Sequence, residues 1–172
     1  LFKTGSLIAH PSHGAGTLVD IQKAEVEGIE RSYYCIELVN DGSTLMIPVK
    51  RAEETGLRPV MSNLDSIVDV LTGAPDELSD NYKKRQADVA EQIYSGDPLQ
   101  IAEALRDLRW LEHVKKLNAG DINLKQKAEQ LLSSEVALQH GMSIDEANQY
   151  LNTILRESIQ AREEATADTP SR

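Results

Sequence analysis

One cysteine, one tryptophan and one phenylalanine are all that 172 residues carry of those types, and each scarcity excludes something. A lone thiol, Cys35, can form no internal disulfide and leaves no Cys-rich zinc cluster. Aromatics at 4% limit the chain to modest cores, of the size found in one medium domain or two small ones. No run approaches the roughly 20 apolar residues that span a bilayer. The stretch Leu1–Ser6 holds no apolar core of signal-peptide length. A soluble, cytoplasmic monomer without a membrane partner is expected.

Positive charge is also scarce. The net charge of −10 opposes nucleic acid if it is spread evenly. It is not spread evenly. Residues 82–127 carry nine Lys or Arg against seven Asp or Glu, whereas the chain from Asp145 onward is strongly acidic. A local basic surface is therefore compatible with an acidic total.

Two periodicities divide the chain. Segments 6–10, 16–23, 31–39 and 43–49 are rich in Ile, Val, Leu, Thr and Tyr and read as strands. Turn chemistry separates them, at Gly28 and at Asn40-Asp41-Gly42. Such short strands predict a small twisted barrel or half-barrel, closed off by Pro48. After a connector at 50–62, apolar residues recur at helical spacing, predicting helices near 63–72, 80–94, 98–117, 121–139 and 144–165. Asp97-Pro98 supplies an N-cap with proline at the first helical position, and Ser143–Glu146 a capping box. Gly73, Gly96 and Gly141 stand where helices should stop. The fold expected is two-domain α+β: a β-module over 1–58, an all-helical domain over 63–165, and a disordered tail at 166–172.

Catalytic chemistry is hard to assemble from these residues. His10 and His13 give two metal ligands at most, and one thiol does not complete the set. Cys35 lies in Tyr33-Tyr34-Cys35-Ile36, where alternation predicts a packed core thiol. Gly14-Ala15-Gly16 lacks the Lys-Ser/Thr ending of a phosphate loop. No enzyme, metal or cofactor is expected.

Short motifs run through the chain in order: Phe2-Lys3-Thr4-Gly5, His10-Pro11-Ser12-His13-Gly14-Ala15-Gly16, Glu25-Val26-Glu27-Gly28, Tyr33-Tyr34 and Met46-Ile47-Pro48-Val49. Gly56-Leu57-Arg58, Ser95-Gly96-Asp97, Leu105-Arg106-Asp107-Leu108 and Leu117-Asn118-Ala119-Gly120-Asp121 follow. Together they resemble the CarD family of bacterial transcription regulators, most closely its CdnL-type members, to about residue 160. The resemblance implies a Tudor-like N-terminal module, shared with transcription-repair coupling factors, that docks on the RNA polymerase β subunit. It implies a helical domain that contacts promoter DNA in the minor groove, at the upstream edge of the bubble, where a tryptophan wedge stabilises the open complex.

The resemblance also points to residues. The strand around Lys23 to Val26 and the facing strand around Met46 would form the polymerase surface, although alternation alone allows Val26 and Met46 to be core. Some family members carry arginines where this chain has Ala24 and Met46. The wedge position holds Tyr82, followed by the basic cluster Lys83, Lys84 and Arg85, which would neutralise phosphates. On pattern alone Tyr82 could instead end a buried stripe with Gln86, Val89 and Ile93. Ile122 and Asn123 stand where the family supplies basic residues, with Lys125 and Lys127 nearby to compensate. Trp110 shares a helical face with Val114 and Leu117, which reads first as packing against another helix of the domain, with a relocated wedge as the alternative. Binding to free DNA is expected to be weak and salt-sensitive. The competing reading is a protein–protein adaptor that docks a partner on the β-module without touching DNA.

Overall fold

The computed structural model describes residues 1–167 of the chain. Five antiparallel strands form one sheet in the order β4-β3-β2-β1-β5: β1 (Leu7–His10), β2 (Gly14–Val26), β3 (Ile29–Leu38), β4 (Thr44–Pro48) and β5 (Arg58–Pro59). Five helices follow: α1 (Leu64–Thr72), α2 (Tyr82–Ile93), α3 (Pro98–Val114), α4 (Ala119–His140) and α5 (Ile144–Ala167). The expected α+β architecture holds. The sheet runs one residue past 58, and Thr166 and Ala167 of the expected tail belong to α5; 168–172 lie outside the described residues.

β2 and β3 are longer than their sequence pattern announces. They pair continuously to Val26↔Ile29 and close through the two-residue turn Glu27-Gly28, both at positive φ, the geometry that matches strand twist. A bulge between Leu18 and Asp20 bends β2. On the near side of that bend Ile8, Leu18, Tyr34, Ile36 and Ile47 form the sheet's core. Tyr34 keeps its hydroxyl satisfied there by accepting from the Phe2 backbone N–H at 3.1 Å. Cys35 is buried as expected, but not by alternation: its neighbours Tyr34 and Ile36 are buried with it, and Cys35 lies on the opposite face of the sheet from theirs.

The helices enclose a second core, from Ile67 and Leu71 of α1 to Leu151 and Leu155 of α5. Their ends follow the expected chemistry. Asp97 accepts from Leu99 N–H, and Ser143 and Glu146 exchange two hydrogen bonds. α3 stops at Val114, so Lys115 and Lys116 lie in a loop rather than in the helix.

The two modules are joined through α4. Arg58 of β5 makes a bidentate pair with the buried Glu135, Nη1 and Nη2 donating at 2.7 and 2.9 Å. Ser134 Oγ accepts from Ala15 N–H at 3.0 Å, and Lys127 Nζ donates to the Ser12 carbonyl at 2.7 Å. Gly14 is required at this seam. A Cβ there would meet Ser134 Oγ at 2.8 Å and Asn40 Nδ2 at 2.9 Å.

His10 lies under the same seam. Its Nδ1 accepts from Ser12 N–H at 3.2 Å, and its ring centre is 4.7 Å from that of His13. Burial foremost, then the charges of His13 and Lys127, push its pKa below the ordinary 6.5. A depressed value means stability that is present above pH 6.5 and lost as pH falls through the folded-state value. Thermal melts taken at about pH 7.5 and about pH 5.5 should show a drop in Tm, and His10→Asn should shrink that drop. An equal drop in the variant would remove His10 from the account.

Candidate docking and nucleic-acid surfaces

The far half of the β2–β3 ribbon stands out from the sheet. β1 covers β2 only as far as Thr17, and β4 is an edge strand, so both offer unpaired backbone groups to a partner. Val26 is 38% exposed, Met46 48% and Ile29 56%, so none of them is core. The register assigns their faces. Met46 lies opposite Cys35, which lies opposite Asp20, and from Asp20 the even positions of β2 lead to Val26. Val26, Ile29 and Met46 thus share one face, together with Ala24 and Tyr33. Lys23 turns to the other face, where its Nζ pairs with Glu30 at 2.9 Å.

The helical module gathers a different set at one end. α2 and α4 begin side by side because Gly120 allows close approach; a Cβ there would fall 2.3 Å from Gln86 Nε2. Asn81 caps α2 by accepting from Lys83 and Lys84 N–H, and Asn118 caps α4 by accepting from Asp121 N–H. Tyr82, the first residue of α2, is 51% exposed, so it does not end the buried stripe. Lys83 beside it and Lys116 in the loop between α3 and α4 are exposed, and among the described residues neither has an acidic partner. Lys84 is exposed and pairs with Asp88 at 2.6 Å.

Three expected DNA-contacting cations are otherwise engaged. Arg85 is 5% exposed: its Nε and Nη2 donate to Asp121 at 3.1 and 2.7 Å, and its Nη1 to the Ser79 carbonyl. Burial would push the Asp121 carboxyl up, but hydrogen bonds from Arg85 and Gln86 outweigh it and hold the group below its ordinary value. Arg85 falls on the buried stripe because it precedes Val89 and Ile93 at four-residue spacing. Lys125 pairs with Glu112 at 2.6 Å. Lys127 holds the seam between modules, where burial pushes its amine pKa down. Of the expected cations, Lys83 alone is both exposed and without an acidic partner among the described residues; Lys84 is exposed but paired with Asp88, and Lys116 is exposed in the α3–α4 loop. Lys116 lies outside the helix expected to run to 117, because α3 ends at Val114.

Trp110 is partly buried on α3, its ring 5.6 Å from that of His113. Around it stand Asp76, Glu77, Asp80 and Asp107. Carboxylates repel phosphates, so this position is a poor wedge. His10 and His13 reach no third ligand; among the described residues no group of three His, Cys, Asp or Glu could hold a metal ion. None of the described helices is long and apolar enough to cross a membrane.

One module leaves a sheet edge open, and the other exposes a tyrosine beside the unpaired Lys83. Comparison with family models places the chain: residues 2–61 match the CarD-like/TRCF RID domain, and residues 66–152 match the CarD C-terminal domain. The chain belongs to the CarD family of transcription regulators, and its sheet is the Tudor-like module of that family. A relative from Bacillus subtilis (strain 168), named as the putative transcription factor YdeB, is 28% identical over 145 residues, covering 83% of this chain and 95% of its own.

Proposed function

We propose that this protein regulates transcription initiation by docking its β-module on the RNA polymerase β subunit and setting Tyr82 against promoter DNA at the upstream edge of the bubble. No reaction is catalysed; binding one state better than another shifts the equilibrium toward the open complex. The observation that carries this reading is Tyr82, an aromatic ring exposed at a helix start with the exposed Lys83 next to it, which has no acidic partner among the described residues. A ring so placed can lie against an unstacked base step while the lysine meets a phosphate. On the β-module, the face of Val26, Ile29 and Met46 beside the open edges suits a protein partner that adds a strand.

The docking half is tested without DNA. Purified full-length protein should co-elute with core polymerase alone. Met46→Glu should weaken that binding by roughly thirty-fold, the cost of about 2 kcal/mol at an interface hot spot. Its melting temperature should stay unchanged, since Met46 is exposed. Co-elution only when promoter DNA is added would count against direct docking.

The withdrawal of Arg85, Lys125 and Lys127 into internal pairs favours a second reading, an adaptor that binds polymerase and a second protein without DNA. Variants at Tyr82 separate the two.

A further inference from the structure

The helical module carries a groove that neither surface above uses. α3 lines one wall with Trp110, Leu111 and Val114, and Leu78 from the 73–81 segment lines the other. Its volume is about 270 Å³, just under the roughly 300–1,000 Å³ of a small-molecule site, and enough for one large side chain. Val114 is 57% exposed, an apolar residue left in water by this fold.

The rim is acidic. Asp76, Glu77 and Asp80 are exposed around the apolar floor, and Asp107 closes the wall. Asp107 is occupied internally, accepting from Arg106 Nε at 2.8 Å and Asp76 N–H at 3.0 Å. Lys115 is drawn to Asp80 at 2.9 Å and Arg106 to Asp76 at 3.1 Å, which leaves Glu77 without a basic partner among the described residues. Four carboxylates against two cations give the groove a net negative field. That field turns away duplex phosphates and draws in lysine and arginine, while the floor accepts an aliphatic side chain.

We propose that this groove docks a basic protein segment, inserting one aliphatic or aromatic side chain between α3 and Leu78 while flanking Lys or Arg residues meet Asp76, Glu77 and Asp80. The site lies next to Tyr82, since Asp80 precedes the Asn81 cap of α2. A basic segment seated there would neutralise acid beside the exposed ring. The groove and its charge are the same whatever Tyr82 contacts.

Trp110 is the only tryptophan in the chain and lines the groove, so its fluorescence reports occupancy directly. The probe is a capped peptide, Gly-Lys-Arg-Leu-Arg-Lys-Gly, titrated into full-length protein at low salt. A saturable change in Trp110 emission is expected at micromolar to sub-millimolar peptide, weakening at least about five-fold when the peptide Leu becomes Ser. Asp76→Asn combined with Glu77→Gln should weaken binding by a similar factor and remove most of its salt sensitivity. Both positions are exposed, so the fold should survive. Val114→Ser provides an independent loss on the apolar side. No saturable change up to about 2 mM peptide would overturn the proposal, as would equal binding of an acidic peptide or unchanged affinity in both variants. A larger response to a short DNA duplex than to the peptide would overturn it in favour of nucleic acid.

Discussion

Arg85→Ala is expected to lower the melting temperature of this protein sharply, whereas Lys83→Ala two residues away should leave it unchanged. Removing the guanidinium strands the carboxylate of Asp121, a residue 1% exposed, with only Gln86 at 3.3 Å and its own helix start to hold it. Breaking one side of a buried pair typically costs about 3–5 kcal/mol. For a chain of this length that corresponds to about 6–20 °C in Tm. Lys83 is exposed and without an acidic partner among the described residues, so its loss should stay within about 0.5 kcal/mol. The double replacement Arg85→Met with Asp121→Leu should recover much of the loss, because it is the orphaned charge that costs most. Acid probes the same pair. The depressed Asp121 carboxyl contributes stability that is complete at neutral pH, and this is lost only as pH falls through its lowered folded-state value. A normal melt for Arg85→Ala, together with reduced DNA contact, would return Arg85 to the phosphate-binding set.

Tyr82→Ala is expected to leave the fold and polymerase binding intact and to shorten the lifetime of open promoter complexes by roughly five- to a hundred-fold. The figure follows from stacking on one base, typically worth about 1–3 kcal/mol, with alanine offering no ring in exchange. Tyr82→Trp should lengthen the lifetime, because a larger apolar surface meets the step without a hydroxyl to satisfy. Since Tyr82 is half exposed, a large fall in Tm is not expected from either change. Lifetimes unchanged in both variants would remove Tyr82 from the bubble edge and leave the adaptor reading standing. Promoter opening followed by a fluorescent base analogue, with Tm measured on the same samples, gives both quantities.

What the sequence made legible was local chemistry. Asp97-Pro98 and Ser143–Glu146 set their helix starts by contacts within four residues, so their pattern could be read directly. The thiol of Cys35 is buried as expected, although Tyr34 and Ile36 on the opposite face are buried too, so alternation was not the reason. Two features escaped for the same physical reason. Lys83-Lys84-Arg85 reads as one basic patch along the chain, but successive helix positions turn by about a quarter of a circle. Arg85 therefore falls in line with Val89 and Ile93, and the partner that keeps it there lies 36 residues away. Lys127 is similar: its acceptor is the Ser12 carbonyl, 115 residues distant, which no local pattern encodes. Strand faces were the other gap. Lys23 and Val26 sit on one strand and read as one surface, yet an odd separation of three turns them to opposite sides.

The seam at Arg58 and Glu135 gives the two modules one fixed separation, and that has a thermodynamic corollary. A flexible tether between two contact sites sets an effective concentration for the second contact that falls with its length and forgives changes in distance. A bidentate pair with a buried carboxylate, reinforced by Ser134 and Lys127, behaves instead as a caliper. On the proposed reading, once the sheet is seated on polymerase the ring at Tyr82 needs no search. Its contact carries almost no further ordering entropy, but only where the DNA lies at the caliper's span. On that reading the protein would measure the length between polymerase and bubble edge, tightening on the geometry that fits and releasing one that has moved.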